Sequence, residues 1–503
     1  MNKNYLIKLY LQVAMKKLPV FIYICLYFFN NSVVAQDFTY NSRCESAYQA
    51  IFKLKIQEGN QILFKERQLN KNNLLPYFLE NYSDFLALYI SDDNALYNRL
   101  SHKKDERLKI LASGDSNSPF YLYTQASIHL QWAIIKVKFG DYFSAIFDVR
   151  KAYRLLITNQ EKFPDFLPNN KDLALLNTLF GAIPDKYKFG AKILGLKGDI
   201  DQGLRDFSSL LKNPNLPFRE EATIMYTMLL LHLGKDQTGA WQMLNQLEIK
   251  LEDNLLNHFI VSSVAHYTGR NNKVIEILSQ APKSDEYFPF PYLNYMLGNA
   301  KLNRLDKDAH IPLKRFLEEY KGRDYIKEAN RKLAWHGLVN RRPDLYQLYM
   351  SKILQAGNNS LDEDKAATTE ALKRSTPNVH ILRARLLSDG GYYEKALNSL
   401  NNITVNNLGF EDKLEYYYRK ARILDEMGQI KSAIPLYQWT INNSNNSETY
   451  FAPNSCIKLG NYYERTNNKT LATKYYRKAS TYKNHEYKNS IDAQAKAGLN
   501  RIK

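Results

Sequence analysis

Three segments in the last third of the chain, SDGGYYEKALNSL, DEMGQIKSAIPLY and ERTNNKTLATKYY, repeat one pattern around Ala396, Ala433 and Ala472, which lie 37 and 39 residues apart. Twelve residues before these alanines stand Ala384, Ala421 and Gly460, and four residues after them Leu400, Tyr437 and Tyr476. Two antiparallel helices approach closely only where a small side chain faces the neighbouring backbone, and a large one at a fixed offset fills the space beside it. A lone amphipathic helix has no such register. The spacing therefore predicts an all-α fold, a right-handed α-solenoid built from antiparallel helix pairs.

This pattern resembles the tetratricopeptide repeat, a helix-turn-helix unit of roughly 34 residues with small residues at its eighth, twentieth and twenty-seventh positions. Leu459-Gly460, Tyr463, Ala472, Tyr476 and Ala479 carry the resemblance in the last unit. Upstream, Trp132-Ala133, Gly140-Asp141-Tyr142, Ala145 and Ala152 meet the same offsets. Further helix pairs are read at Met225–Leu247 (broken at Gly234-Lys235-Asp236), Phe259–Ala281 and Tyr292–Tyr320. Proline-bearing breaks at 163–170, 213–218, 281–291 and Arg342-Pro343 are expected to separate the pairs, since proline ends a helix or opens the next. The expected organisation is a signal peptide over 1–35, an N-terminal helical region over 36–122, a divergent repeat array over 123–350, and three repeats with a terminal helix over 351–503.

The segment 173–211 does not fit a simple array. Its glycines, Gly181, Gly190, Gly195, Gly198 and Gly203, spell neither G-x-G-x-x-G nor a Walker loop, which leaves tight turns and close helix packing as their use. Leu179 to Pro184, Ile193-Leu194-Gly195 and Gly198-Asp199 to Gly203-Leu204 resemble the eukaryotic inclusion-body clearance proteins and their tetratricopeptide relatives. The likeness extends more loosely over 123–503, including FPYLNYMLGNAKL at 290–302. It implies an all-helical adaptor without enzymatic activity; an export signal is foreign to such cytosolic proteins.

The first 35 residues are a different text. Lys16-Lys17 precede an apolar run from Leu18 to Phe29, then Asn30-Asn31-Ser32 and Val33-Val34-Ala35. Such a run is short for a bilayer span and has the proportions of a signal-peptide core, with cleavage expected after Ala35. An uncleaved anchor is the alternative. Ile24 before Cys25 is not the small residue that lipoprotein processing needs. Localisation is thus read as exported and periplasmic, at or near the outer membrane.

Export would leave only Cys44 and Cys456, at opposite ends of a solenoid, and no disulfide is expected because the bond needs α-carbons within about 7 Å. Cys456 reads as a buried small hydrophobe, Cys44 as a free thiol near a frayed terminus. The nine histidines are scattered singly; no H-E-x-x-H, G-x-S-x-G or cysteine-histidine cluster occurs. No metal, cofactor or catalytic residue is expected. Asp362-Glu363-Asp364 reads as the acidic first turn of a helix.

The formal charge is +18, and the four lysines of the leader reduce it to +14 for the remainder. The densest basic window holds Lys314, Arg315, Lys321, Arg323, Lys327, Arg331 and Lys332, continued by Arg341 and Arg342. It reads either as a solvated helical face or as a patch for anionic lipid or polysaccharide; nucleic acid does not suit an exported chain. For partner proteins, the inward positions of the first helices select Arg385, Tyr418, Arg422, Asp425, Asn461, Glu464 and Arg465. Of Tyr416-Tyr417-Tyr418, at least one is expected on the surface. Two functions follow: a non-enzymatic periplasmic scaffold joining proteins of a cell-envelope assembly, or an envelope protein that binds an anionic polysaccharide or lipid.

Overall fold

The structure is a computed structural model, and it describes residues 36–183, 195–234, 236–246, 251–373, 375–444 and 447–502. Residues 1–35, Lys235, Leu247 and part of the glycine-rich segment, 184–194, including Pro184, Gly190 and Ile193-Leu194, lie outside the described residues. Those described are α-helical, joined by short turns, with one isolated parallel bridge between Asp37 and Asn73. Among them, no helix is long and apolar enough to cross a membrane.

Eight helix pairs share one turn. They are Ser42–Phe52 with Ile56–Leu69, Pro119–Lys138 with Tyr142–Lys162, Leu255–Tyr267 with Asn271–Ser279, and Tyr292–Asn303 with His310–Glu319. The other four are Ile326–Val339 with Pro343–Ile353, Val379–Asp389 with Tyr393–Asn401, Phe410–Glu426 with Ile430–Asn443, and Phe451–Arg465 with Lys469–Ala479. In each, one residue after the first helix is left-handed: Leu54, Gly140, Gly269, Leu305, Arg341, Gly391, Gly428 and Asn467. The amide that follows it reaches back five residues to a helix carbonyl, from Lys55 to Ala50 through Asn468 to Tyr463, at 2.8–3.0 Å in all eight. This is the Schellman closure, which satisfies carbonyls orphaned at a helix end and reverses the chain.

The turn fixes the register of the small residues. Seven positions before each left-handed residue stand Ala47, Ala133, Ser262, Gly298, Ala334, Ala384, Ala421 and Gly460, all buried. A Cβ on Gly298 would sit 2.5 Å from Leu313 Cγ, and one on Gly460 would sit 2.6 Å from Tyr476 Cε1. The Arg341-Arg342-Pro343 stretch is thus the turn inside a pair and not a break between pairs. Pro343 opens the second helix at its first position, where a missing N–H costs nothing.

Other helices fill between the pairs. Leu167–Gly181 packs against Ile200–Leu210, where Gly203 faces Thr178 so closely that a Cβ would lie 2.7 Å from the Thr178 amide nitrogen. Asp199 caps that second helix through Gln202 N at 2.7 Å. Asp362–Lys373 begins, as expected, with its three acidic residues in the first turn. Lys488–Arg501 covers the last pair, with Arg501 on Glu464 at 2.6 Å, and gives the array a polar outer end.

The coil is tight enough to touch itself. Lys53 and Lys55 meet Asp253 at 3.1 and 2.6 Å, Tyr48 stacks edge-on against Phe218 at 4.7 Å, and the Tyr320 hydroxyl donates to Asp92 at 3.1 Å. Further along, the turn 269–272 meets the turn 390–392 across two intervening pairs. There the Tyr392 hydroxyl donates to Asn272 Oδ1 at 2.6 Å and accepts from Asn271 Nδ2 at 3.1 Å. Both cysteines among the described residues are free and buried; Cys44 is not at a frayed end but fully enclosed beside Asn73.

Candidate functional site

Because first helices face inward and the turns approach one another, the array lines a half-open cavity of about 1120 Å³. Its lining follows the turn register. Two residues before the left-handed positions come Lys138, Tyr267, Asn303, Asp389, Glu426 and Arg465; six before come Ser263, Asn299, Arg422 and Asn461. Helical spacing explains this, since residues four apart on one helix share a face.

The wall is of two kinds. Phe259, Phe290, Tyr292, Tyr295 and Tyr325 make an aromatic half, with Tyr292 5.3 Å from Tyr295 and 5.0 Å from Tyr325 between ring centres. Burial pushes the Tyr292 and Tyr295 phenols well above their ordinary value, so both are neutral donors. The later helices supply charge: Asp389, Arg422, Glu426, Lys458 and Arg465. Lys458 meets Glu426 at 3.1 Å, and Arg422 lies 3.9 Å from Asp389. Burial alone would raise the Asp389 carboxyl, but Arg422, Arg419, Arg385 and Lys332 outweigh it and hold the group below its usual range.

A packed ladder of cations adjoins this wall, with Lys332 and Glu328 of the ladder also lining the cavity. Arg331, Lys332 and Arg385 surround the ring of Trp335 at 4.7, 4.6 and 4.5 Å from its centre, and Trp335 Nε1 donates to Glu370 at 2.7 Å. Glu328 pairs with Arg331 at 2.5 Å and Lys332 at 3.3 Å. Arg419 donates to Glu415 at 2.9 Å and to the Tyr450 hydroxyl at 2.9 Å. Arg385 has no carboxylate within ion-pair distance among the described residues, and its Nε has no hydrogen-bond partner.

Of the inward residues picked from sequence, Arg422, Asn461 and Arg465 line the cavity. Arg385 is stacked on Trp335. Tyr418 is fully buried against Phe451, with its hydroxyl 3.2 Å from Asn454. Asp425 and Glu464 accept hydrogen bonds from Tyr437 and Tyr476. None of the tyrosines 416–418 is exposed: Tyr416 is buried and Tyr417 lies half-buried against Trp439, 3.9 Å between ring centres.

The basic window does not form one exposed face. Lys314, Arg315, Lys321 and Arg323 are exposed, as are Arg341 and Arg342, but Lys327, Arg331 and Lys332 are buried. Their helix turns these three toward Glu328, Thr368 and Trp335, where each finds an acid, a hydroxyl or a ring. Sequence reasoning missed Tyr292, Tyr295, Asn299, Asn303, Asp389 and Lys458; counting back from the turns, rather than from the alanines alone, would have found Asn299, Asn303 and Asp389.

Among the described residues, no group of three or more His, Cys, Asp and Glu could hold a metal ion. Burial pushes the thiols of Cys44 and Cys456 up to about 11 and about 12, which keeps both protonated at neutral pH. Burial likewise lowers His232 and His266 at the cavity wall, leaving neutral imidazoles.

The fold is an all-α solenoid of helix pairs with a half-open cavity along its inner wall. Within it, residues 414–438 and 453–485 match the tetratricopeptide repeat. No curated protein matches the chain. Among solved structures it is similar to the yeast Tom70 at 14% identity, covering 92% of this chain and 95% of that one, with a TM-score of 0.23. It is also similar to the APC/C hetero-tetramer Cut9-Hcn1 at 11% identity, covering 91% and 95%, with a TM-score of 0.22. A third similar structure is Naa15/Naa10 bound to HypK-THB, at 11% identity, covering 92% and 79%, with a TM-score of 0.19.

Proposed function

We propose that the protein is an exported, non-enzymatic scaffold whose inner cavity takes up a segment of a partner protein in a cell-envelope assembly. The cavity carries this reading. Its volume of about 1120 Å³ exceeds the roughly 300–1,000 Å³ of small-molecule sites, and its wall pairs stacked aromatics with separate charges along several successive repeats. Aromatic side chains supply contact area at low entropic cost, and the charges fix register. The tetratricopeptide match over 414–438 and 453–485 supports a protein ligand, and the leader's lysine pair and apolar core support a periplasmic location near the outer membrane. The adaptor role implied by the clearance-protein likeness is consistent with this, although 184–194 of that likeness lie outside the described residues.

The test is affinity capture of the native-promoter protein after in-cell crosslinking, beside the variant Arg422→Glu/Lys458→Glu. The wild type should recover a small set of envelope proteins and show a mature start at Gln36; the variant, folded by circular dichroism, should lose them. An unchanged partner set from the variant would refute the inner site, and an intact leader would indicate an anchored chain.

A further inference from the structure

We propose that the helical hairpin Pro119–Lys138/Tyr142–Lys162 carries a second, outward site, which docks on an anionic lipid bilayer through its turn. Val137, Tyr142, Phe143, Ile146 and Phe147 are exposed together at this turn, Phe143 most of all at 74%. Phe143 and Phe147 pack on each other edge-on at 4.9 Å between centres. Inner packing does not need them: Ala145 and Ala152 occupy the inward face of the same helix and are buried. Single exposed apolar residues are ordinary, but five within eleven positions form a patch that marks an interaction site.

Charge placement selects the occupant. Lys151 and Arg154 follow Phe147, exposed along the outward face, with Arg150 half-buried beside them, and no carboxylate lies within ion-pair distance of any of the three among the described residues. The nearby Asp148 is already claimed by Lys104, Lys136 and His129. The helix rises about 1.5 Å per residue, so Lys151 stands about 6 Å above Phe147 and about 12 Å above Phe143. An aromatic tip immersed about 5–10 Å at the headgroup boundary would hold these cations among the lipid phosphates. Tyrosine and phenylalanine suit that boundary, with an apolar body in the acyl region.

Two other occupants fit less well. A second copy, pairing patch to patch, would bring two unpaired cation clusters together. Residues 1–35 would have to cross the length of the hairpin to cover the patch: Gln36, the first described residue, meets Ser113 at 2.6 Å and Asp115 at 3.0 Å, beside the start of Pro119–Lys138, a helix about 30 Å long.

The experiment is co-sedimentation of the full chain with vesicles of phosphatidylcholine, alone or mixed with phosphatidylglycerol, for wild type, Phe143→Ser/Phe147→Ser and Lys151→Glu/Arg154→Glu. The wild type should bind the anionic vesicles. The aromatic variant should bind at least about tenfold more weakly, and the charge variant should lose the preference for phosphatidylglycerol. In the Phe143→Trp chain, tryptophan emission should shift to the blue on adding anionic vesicles. Equal binding by wild type and the aromatic variant, or binding indifferent to lipid charge, would overturn the proposal. No vesicle binding, with a concentration-dependent dimer that Phe143→Ser/Phe147→Ser abolishes, would assign the patch to a second copy. Partner capture through Arg422 and Lys458 reads a different face, so either result stands without the other.

Discussion

Tyr476 donates its hydroxyl to Glu464 at 2.5 Å, twelve residues back on the preceding helix, and Tyr437 does the same to Asp425 at 3.1 Å. These two tyrosines thus fill the space beside a small residue and also tie their helix to the partner helix by a charge-assisted bond, which Leu400 at the same position cannot make. Glu464 holds Arg501 of the terminal helix as well.

Tyr476→Phe should lower stability by about 1.5–3 kcal/mol, the range for a hydrogen bond to a charged group. Urea unfolding followed by circular dichroism measures it.

Gly460→Ala should be more damaging than a helix-propensity argument allows. Alanine favours helices by about 1 kcal/mol over glycine, but here its Cβ would lie 2.6 Å from Tyr476 Cε1. Overpacking of this kind costs about 1–3 kcal/mol. Adding Tyr476→Leu should recover part of the loss, and a double-mutant cycle in urea reads the coupling.

Asp364 should make stability fall as pH rises through the weakly acidic range. Its carboxylate accepts from the amides of Tyr325 at 2.8 Å and Glu328 at 3.0 Å, capping the neighbouring helix. Burial outweighs these bonds, with Glu328 and Asp324 adding repulsion, and raises the group from 3.8 to about 6. A raised acid binds its proton more tightly when folded. Its contribution is therefore full below pH about 4 and lost as pH climbs through about 6, amounting to about 2–3 kcal/mol. Melting temperatures of wild type and Asp364→Asn between pH 4.5 and 7 should converge at the acid end and part in favour of the variant at the neutral end.

The self-contact of the coil should be separable from global stability. Tyr392→Phe removes the hydroxyl that joins Asn271 and Asn272. Hydrogen exchange should quicken at 269–272 and 390–392, with little change in the repeats 410–479.

The pairs that were plain in the sequence are those where every special position has its expected residue. Ala384, Gly391 and Ala396, or Ala421, Gly428 and Ala433, place a small residue, a left-handed glycine and a second small residue in one register. The pair 42–69 keeps Ala47 and Gly59 but turns on Leu54, and the pair 326–353 turns on Arg341 with Tyr346 where an alanine usually stands. There the small residue has moved across the interface: Gly337 approaches Tyr346, so a Cβ would lie 3.1 Å from the Tyr346 amide nitrogen. Pattern matching on one helix cannot see a volume exchanged with the next. Pro343 compounded the difficulty, since a proline at the first position of a helix and one between helices read alike.

The inner surface was legible only in part for a similar reason. Helical phase points to the inward face, which found Arg422, Asn461 and Arg465, but it does not say which inward side chains are consumed by packing. Tyr418 and Arg385 are consumed, by Phe451 and Trp335. The aromatic half, Tyr292, Tyr295 and Tyr325, comes together only because the coil is tight, and that curvature is a property of many contacts rather than of any one segment.

Photocrosslinking from inside the cavity is the most direct measurement. p-Benzoylphenylalanine would replace Tyr393 and Arg465, which line the cavity, and in separate strains Lys431 and Arg477, which are exposed on second helices. Adducts to a protein partner from the two inner positions, absent from the two outer ones, are the expected result. Adducts from the outer positions alone, or from none of the four, would contradict a scaffold that holds its partner within the coil.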